Sequence, residues 1–114
     1  MGIKEITQKV VEFRDKRKWK KYNNPKDEAL SLTLEAAELL ELFQWKSPEE
    51  VDQYVKTSKN KVAEELVDVF YWVLLMSYDL NINLEKAFKS KMRQNVKKYS
   101  VRELKGEYKK YTEL

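Results

Sequence analysis

Four carboxylates are paired at helical spacing within the two most apolar stretches of this 114-residue chain. Glu35 and Glu38 lie three positions apart in one stretch, and Glu65 and Asp68 lie three positions apart in the other. Residues at this spacing share one face of a helix. Burying bare anions is costly unless a cation compensates them, so we expect a divalent cation to bind both pairs. The alternative is that each pair lies on the one exposed stripe of its helix.

The residue types that are missing narrow the chemistry of such a site. The chain has no His and no Cys, which excludes imidazole bases, thiolate nucleophiles, disulfides and zinc or iron–sulfur centres held by these residues. Oxygen ligands alone suit Mg²⁺, Mn²⁺ or Ca²⁺, and carboxylates with water fit the Mg²⁺ octahedron at about 2.0–2.1 Å. We therefore expect an Mg²⁺ site, with Mn²⁺ as the alternative ion, if the two helices pack antiparallel.

A tryptophan and a polar stripe could complete a site for a phosphorylated ligand. Trp45 follows Glu38 by seven residues, so it is predicted to stack along the carboxylate face, either as a core residue or as a platform for a base. Further along the chain, a cation, an amide and a phenol recur at helical spacing and could contact phosphate oxygens and a sugar hydroxyl. The alternative is an exposed, lysine-rich helix end. This polar stripe consists of Lys91, Asn95, Lys98 and Tyr99.

Apolar periodicity and capping residues predict an all-α chain. Asn24 followed by Pro25 is typical of an N-cap and first helical position. Ser47, three residues before Glu50, predicts a capping box, and Asn83 predicts the start of the last long helix. The predicted helices span residues 3–20, 25–44, 48–55, 61–78 and 84–98.

The composition predicts one compact domain over residues 1–114, in which residues 100–114 form a basic, partly ordered tail. Only 2 Gly and 2 Pro, with 37% charged and 42% hydrophobic residues, rule out a turn-rich β-sandwich. The chain shows neither a run of about 18 apolar residues nor a basic-then-apolar leader. We therefore expect no transmembrane span and no signal peptide, and place the protein in the cytosol.

Charge is unevenly distributed around the net value of +4. Basic segments at 14–21 and 86–110 flank an acidic segment at 35–68, an arrangement that could gather a metal ion and a polyphosphate in one site. The alternative is a solvated basic surface. We do not expect nucleic-acid binding, because the basic runs show no recognisable nucleic-acid-binding signature.

The predicted helices 25–44 and 61–78 are apolar on nearly all sides. Such helices are expected to be buried on all sides, and a single layer of four helices of this length cannot cover both. We therefore expect self-association to complete a four-helix core, as a homodimer or a homotetramer.

Five segments resemble the MazG-like all-α nucleoside triphosphate pyrophosphohydrolases, and the resemblance covers almost the whole chain. Residues 24–27 (NPKD) and 34–46 (LEAAELLELFQWK) are similar to the family's first signature. Residues 64–69 (EELVDV) resemble its second acidic element, and 91–99 its third. Residues 110–114 (KYTEL) are similar to an ending of the dCTP pyrophosphatase branch.

The resemblance implies a MazG-like four-helix core and Mg²⁺-dependent hydrolysis of a nucleoside triphosphate, such as dCTP, to the monophosphate and pyrophosphate, which cleans the nucleotide pool. The implied metal ligands are Glu35, Glu38, Glu65 and Asp68. The implied phosphate and sugar contacts are Lys91, Asn95, Lys98 and Tyr99. The implied base pocket consists of Phe13, Trp19 and Trp45. We expect Phe13 and Trp19 to reach across from a neighbouring chain, because the basic segment around them suits a phosphate-rich cleft between chains.

The general base is left open by one departure from the family. Many members carry a glutamate where this chain has Leu34. Glu35 and Glu38 are expected to take part in catalysis, and Glu41 and Glu64 are candidates for orienting the attacking water. Two alternatives to this function are a non-catalytic helical interaction or nucleic-acid-binding protein, and a hydrolase of another pyrophosphate substrate such as phosphoribosyl-ATP.

Overall fold

The computed structural model describes residues 1–107, and every regular element in that part of the chain is helical. The predicted all-α fold class is therefore confirmed. A short 3₁₀ turn at Lys20–Tyr22 joins the first two helices. The helices are α1 (Ile3–Lys16), α2 (Pro25–Glu41), α3 (Pro48–Thr57), α4 (Lys59–Asp79), α5 (Leu84–Lys98) and α6 (Val101–Leu104).

The predicted caps start three of these helices. The side-chain oxygen of Asn24 accepts a hydrogen bond from the backbone N–H of Asp27 at 2.9 Å. Ser47 and Glu50 form the predicted capping box, with each side chain accepting from the other residue's backbone N–H at 3.2 and 3.1 Å. Asn83 caps α5, whose bounds match the prediction. Each cap satisfies a backbone donor that has no partner within the helix.

Three predicted boundaries were wrong. Helix α1 ends at Lys16 rather than at residue 20, because the chain turns through Lys18 with a left-handed φ of 56°. Helix α2 ends at Glu41, three residues before the predicted end, and a turn follows. The predicted break at 57–60 shrinks to Ser58, which ends α3 and starts α4.

The predicted tail is partly described. Ser100 caps the short helix α6, since its hydroxyl accepts from the backbone N–H of Glu103 at 3.1 Å. The remainder of the predicted tail, including the 110–114 ending, lies outside the described residues.

Helix α4 is the centre of the packing in the first part of the chain. Helices α1, α2 and α3 all pack against it, and Leu74 and Leu75 of α4 are fully buried. The N-terminal part of α2 meets the C-terminal end of α4, where Glu28 faces Asp79, so the two helices run antiparallel, which is the condition for a shared metal site. This arrangement brings the carboxylate pairs of α2 and α4 to the same interface.

As expected, helices α2 and α4 are not covered on all sides within a single chain, and their burial by association stays a prediction. Large apolar side chains on both helices are more than half exposed, including Leu34, Leu40 and Val67. Only three hydrophobic residues among those described are buried, namely Val11, Leu74 and Leu75. A single chain therefore leaves an apolar surface on these helices that packing within the chain does not cover.

The chain divides into two compact units. The first is Met1–Asn81, which contains α1 to α4, and the second begins at Ile82 and contains α5 and α6. The single-domain organisation over residues 1–114 stays a prediction. Across residues 1–107, none of the helices has the length and apolar character needed to cross a membrane.

Candidate active site

Four carboxylates converge where α2 crosses the first half of α4. Each of Glu35, Glu38, Glu65 and Asp68 offers an oxygen, and these four oxygens lie within 4.8 Å of one another. Glu38 and Asp68 are exposed, Glu35 is half-buried and Glu65 is 8% exposed. The pairs therefore face each other, which decides against the alternative of two unrelated exposed stripes.

The surroundings of this carboxylate cluster fit a divalent cation. Oε2 of Glu35 and Oε2 of Glu65 are buried without a hydrogen-bond partner in the described part of the chain. A positive charge reaches the cluster from one side, where Nζ of Lys61 lies 3.6 Å from Oε1 of Glu65. One lysine cannot neutralise four acids, and an oxygen-only donor set suits Mg²⁺ or Mn²⁺.

Burial and the closeness of the four carboxylates raise the pKa of Glu35. Burial, and then the hydrogen bond and charge of Glu38, raise the pKa of Glu35 from 4.5 to about 7. The charges of Asp68 and Glu65 act in the same direction. Like charges held this close disfavour ionisation unless a cation joins them.

An open pocket of about 530 Å³ adjoins the carboxylate cluster. Glu35 and Asp68 belong to both, so the acids form one wall of the pocket. Its volume lies in the range of sites that bind small molecules. The other walls come mainly from apolar and aromatic side chains of α1, the turn after it and α4. These side chains are Ile6, Val10, Phe13, Trp19, Tyr71 and Trp72.

The aromatic rings of the pocket contact one another edge to face. Phe13 is at the centre, with ring centroids 5.9 Å from Trp19 and 6.2 Å from Tyr71. Tyr71 in turn contacts Trp72 at 5.2 Å. The guanidinium of Arg17 lies 3.7 Å from the centroid of the Phe13 ring. Rings fixed in this way offer flat faces on which a base can stack.

A buried ion pair contacts one of the residues that line the pocket. The guanidinium of Arg14, 1% exposed, donates to the carboxylate of Asp79, to Asp15 at 3.1 Å and to the amide oxygen of Asn23 at 3.4 Å. Asn23 lines the pocket. The ion pair thus ties the end of α4 to α1 and to the turn that leads into α2.

Glu28, which lies beside this ion pair, has a raised pKa. Burial, and then the hydrogen bond and charge of Asp79, raise the pKa of Glu28 from 4.5 to about 7, although Arg14 opposes the shift. Burial disfavours ionisation of Asp79, but the hydrogen bonds from Arg14 and Glu28 hold its pKa below the usual value. As the pH falls, Glu28 therefore takes up a proton before Asp79 does.

The structure corrects the expected placement of two aromatic residues. Phe13 and Trp19 line a pocket beside Glu35 and Asp68 of their own chain, so they do not depend on a neighbouring chain to reach the carboxylates. The cause is the turn after α1, which brings Trp19 back onto Phe13.

Trp45 is not brought to the pocket of its own chain. It lies in the turn after α2 and is 87% exposed. The argument that it shares the carboxylate face requires α2 to continue to Trp45, and α2 ends at Glu41. Its part in base binding stays a prediction.

The two candidate water-orienting acids lie outside the carboxylate cluster. Glu41 is the last residue of α2, and Glu64 pairs with Lys61 at 4.0 Å on the exposed side of α4. Both are exposed, and neither contributes to the group of four oxygens. Their catalytic roles stay predictions.

The polar stripe belongs to the second compact unit. Lys91 and Asn95 lie on α5 and Lys98 is its last residue, while Tyr99 is its C-cap. Lys91 is exposed, and the other three are half-buried. The helical spacing on which the stripe was predicted is therefore present for Lys91, Asn95 and Lys98, whereas Tyr99 lies just beyond the helix. The contacts of the stripe to phosphate and sugar stay predictions.

Several residues that line the pocket or lie at the buried ion pair were not identified from the sequence. Tyr71 and Trp72 follow Asp68 by three and four positions, the spacing that places them on its face of α4. Asp79 follows Asp68 by eleven positions, which returns to the same face at 100° per residue. In α2, Glu28 precedes Glu35 by seven. Helical spacing from the predicted metal ligands could have found all four.

Comparisons with known proteins agree with this geometry. The sequence pattern of the MazG-like family matches residues 30–114. The chain is 34% identical to dCTP pyrophosphatase 1 of Rattus norvegicus and 32% identical to dCTP pyrophosphatase 1 of Homo sapiens. Each similarity spans 98% of this chain and 67% of the relative.

A solved structure shares the fold. The crystal structure of a pyrophosphatase from Archaeoglobus fulgidus DSM 4304 superposes with a TM-score of 0.80 at 41% sequence identity. The superposition covers 85% of this chain and 91% of that one. The likeness therefore extends over most of both molecules.

Proposed function

Because the chain belongs to the MazG-like family, we propose that this nucleotide pyrophosphohydrolase is Mg²⁺-dependent and converts a deoxynucleoside triphosphate and water to the monophosphate and pyrophosphate. Its resemblance to enzymes named dCTP pyrophosphatase favours a pyrimidine substrate such as dCTP. Removal of unwanted triphosphates from the nucleotide pool is the corresponding cellular role.

One observation carries the proposal: the carboxylate cluster and the aromatic pocket share a wall. Glu35 and Asp68 belong to both. A ligand that stacks its base against Phe13 or Trp19 can therefore extend a charged group to the acids. Four carboxylates repel a bare triphosphate, so a cation must join the two, and Mg²⁺ bound there would neutralise the phosphate chain and polarise it for attack.

The chain's own residues have three tasks in this reaction. Glu35, Glu38, Glu65 and Asp68 would hold the cation, while the aromatic pocket would fix the base and exclude water from one side of the nucleotide. A carboxylate then orients a water molecule. The water oxygen forms a bond to the α-phosphorus as the bond between that phosphorus and the α,β-bridging oxygen breaks. Pyrophosphate leaves with that oxygen, and the water proton passes through the carboxylate to solvent. Glu41 and Glu64 remain the candidates for this last role beside Glu35 and Glu38.

The resemblance to the family supports a role in nucleotide binding for the polar stripe on α5. Lys91 and Lys98 supply positive charge for phosphate oxygens. Asn95 and Tyr99 supply hydrogen bonds for phosphate or sugar. The family's third element supports this assignment, because it coincides with these positions.

We also propose that the enzyme works as a homodimer or homotetramer. The exposed apolar surface of α2 and α4 supports association, since burial of apolar area contributes about 25 cal/mol per Å². The 87% exposure of Trp45 supports the proposal that this aromatic residue contacts a neighbouring chain. It replaces Phe13 and Trp19 in that role.

The test of this function is a substrate panel. The purified chain is incubated with Mg²⁺ and each of the four deoxynucleoside triphosphates, the ribonucleoside triphosphates, modified pyrimidine triphosphates and phosphoribosyl-ATP, and pyrophosphate release is measured. We expect a deoxypyrimidine triphosphate to give the highest kcat/KM, and a chelator to abolish turnover. Turnover of phosphoribosyl-ATP alone would move the substrate assignment to that class, and metal-independent turnover would contradict the proposed mechanism.

A further inference from the structure

Asn23 lies where the aromatic pocket meets the buried ion pair. Its side chain lines the pocket with Phe13 and Trp19, and its amide oxygen accepts a hydrogen bond from Nη1 of Arg14. Asn23 is part of neither the carboxylate cluster nor the aromatic walls. The reaction described above gives this polar group no role.

Arg14 fixes which end of the amide faces the pocket. A guanidinium has only donors, so the oxygen of Asn23, and not its nitrogen, must face Arg14. At 3.4 Å the hydrogen bond is long. The guanidinium is nevertheless held in place, because it is 1% exposed and also donates to Asp79 and Asp15.

The amide nitrogen is left available to a ligand. Among residues 1–107, the side chain of Asn23 is hydrogen-bonded to Arg14 alone and through its oxygen, so Nδ2 has no acceptor there. Asn23 is half-buried rather than fully exposed. The walls around it are mainly apolar. A donor in such a pocket discriminates strongly between ligands, because a ligand without a matching acceptor leaves the amide unpaired.

The pyrimidine bases differ at the atoms that such a donor would meet. Cytosine carries two adjacent acceptors, O2 and the ring nitrogen N3. In uracil and thymine N3 carries a hydrogen and acts as a donor. An amide that presents its N–H groups therefore matches cytosine and meets a like group at N3 of the other two.

We propose that Asn23 selects the base, with its amide N–H groups bound to the acceptor edge of cytosine, and that Arg14 is the positioning residue that orients them. The inference rests on the proposed nucleotide hydrolysis and names its substrate more narrowly. It also gives the buried ion pair a part in specificity, because Asp79 holds the guanidinium that holds Asn23.

The test is Asn23→Asp, which keeps the shape of the side chain and its bond to Arg14 but turns an acceptor toward the pocket. We measure kcat and KM for dCTP, dUTP and the base-free 2′-deoxyribose 5′-triphosphate. The ratio of kcat/KM for dCTP over dUTP should fall at least about 10-fold in the variant, mainly through KM. The base-free substrate measures any loss common to all triphosphates, including repulsion by the added charge.

Two further variants separate this role from a structural one. Asn60→Asp adds the same charge at an exposed position outside the pocket, and should leave the dCTP to dUTP ratio unchanged. Arg14→Lys keeps the charge beside Asp79 but not the fixed donor geometry, and should lower the ratio in the wild-type background but not in an Asn23→Ala background. Circular dichroism and thermal unfolding verify that each variant folds. If Arg14→Lys does not fold, the Asn23→Asp result alone decides the role of Asn23.

Calorimetric binding of dCMP and dUMP gives a readout without turnover. Wild type should prefer dCMP, and Asn23→Asp should lose that preference. If wild type hydrolyses dCTP but Asn23→Asp loses activity equally on all three triphosphates, the role of Asn23 is wrong and the proposed function stands. If wild type hydrolyses no triphosphate and binds neither monophosphate, both proposals are wrong.

Discussion

Arg14 and Asp79 form a buried ion pair between residues 65 positions apart, and it joins the last turn of α1 to the last residue of α4. Removal of one partner of a buried pair leaves an uncompensated charge. Asp79→Asn should therefore lower the free energy of unfolding by roughly 3–5 kcal/mol in urea titrations at one fixed protein concentration. Asp15→Asn removes the half-exposed partner of the same guanidinium and should cost only about 0–1 kcal/mol. Equal effects of the two substitutions would contradict this account of the ion pair.

Glu28 makes stability depend on pH in a direction opposite to that of most carboxylates. Its pKa is 4.5 in the unfolded chain and about 7 in the folded one. Between these pH values only the unfolded state releases the proton of Glu28. The contribution of protonated Glu28 to the free energy of unfolding is therefore complete below about pH 4.5 and is lost as the pH rises to about 7. The groups that face it are Asp79 and Arg14.

Glu28→Gln should remove this dependence. We expect the stability of the variant relative to wild type to rise between pH 5 and pH 8 by on the order of 2–3 kcal/mol, as the shift at about 1.4 kcal/mol per pKa unit requires. Urea unfolding across this range measures it. The exposed Glu49→Gln is the matched control for loss of one carboxylate, and a parallel pH profile for the two variants would rule out the assigned role of Glu28.

Glu38→Ala and Asp68→Ala should each abolish Mg²⁺-dependent turnover and leave the helical fold intact. Both remove an exposed member of the carboxylate cluster, so apo stability should stay level or rise as charge repulsion is relieved. Asp52→Ala, exposed on α3, is the control. Pyrophosphate release and calorimetric titration with Mg²⁺ alone are the measurements. A variant that kept full activity would exclude that residue as a ligand.

Trp45→Ala should raise KM more than it lowers kcat. A stacking platform binds ground state and transition state alike, and loss of one stacked aromatic costs about 1–3 kcal/mol, or about 5- to 150-fold in KM. Because the side chain is 87% exposed, its truncation should not alter the secondary structure. An unchanged KM, with the assembly intact, would exclude Trp45 from the base site.

The exposed apolar surface of α2 and α4 predicts an assembly that persists on dilution. Light scattering should show a dimer or tetramer at submicromolar concentration, and Val67→Lys, at a 61% exposed position of α4, should shift it toward monomer. Val101→Lys introduces the same charge on α6 and serves as control. A stable, active monomer of wild type would contradict the predicted association.

Local signals in the sequence were sufficient for helix starts and for the carboxylate cluster. Asn24, Ser47 and Asn83 cap helices because a short polar side chain reaches its own backbone, which involves no distant contact. The two acid pairs could be combined because helical spacing fixes each face and antiparallel packing brings the faces together.

Features that depend on chain reversals could not be predicted in the same way. The turn at Lys18 returns Trp19 to Phe13 and so forms the pocket within one chain. The end of α2 at Glu41 leaves Trp45 outside that pocket. Arg14 lies within a run of basic residues that reads as solvated surface, and only its contact with Asp79, far along the chain, shows that it is buried.

The different surroundings of the three tryptophans give the protein an intrinsic optical reporter. Trp19 and Trp72 line the pocket, whereas Trp45 is almost fully exposed. Iodide should therefore quench the red-shifted emission of Trp45 first, while a nucleotide that enters the pocket alters the emission of the other two. Association that covers Trp45 would shift its emission to the blue. Since Trp45 is also the proposed stacking residue, dilution without nucleotide follows assembly, and addition of nucleotide at one fixed protein concentration follows binding.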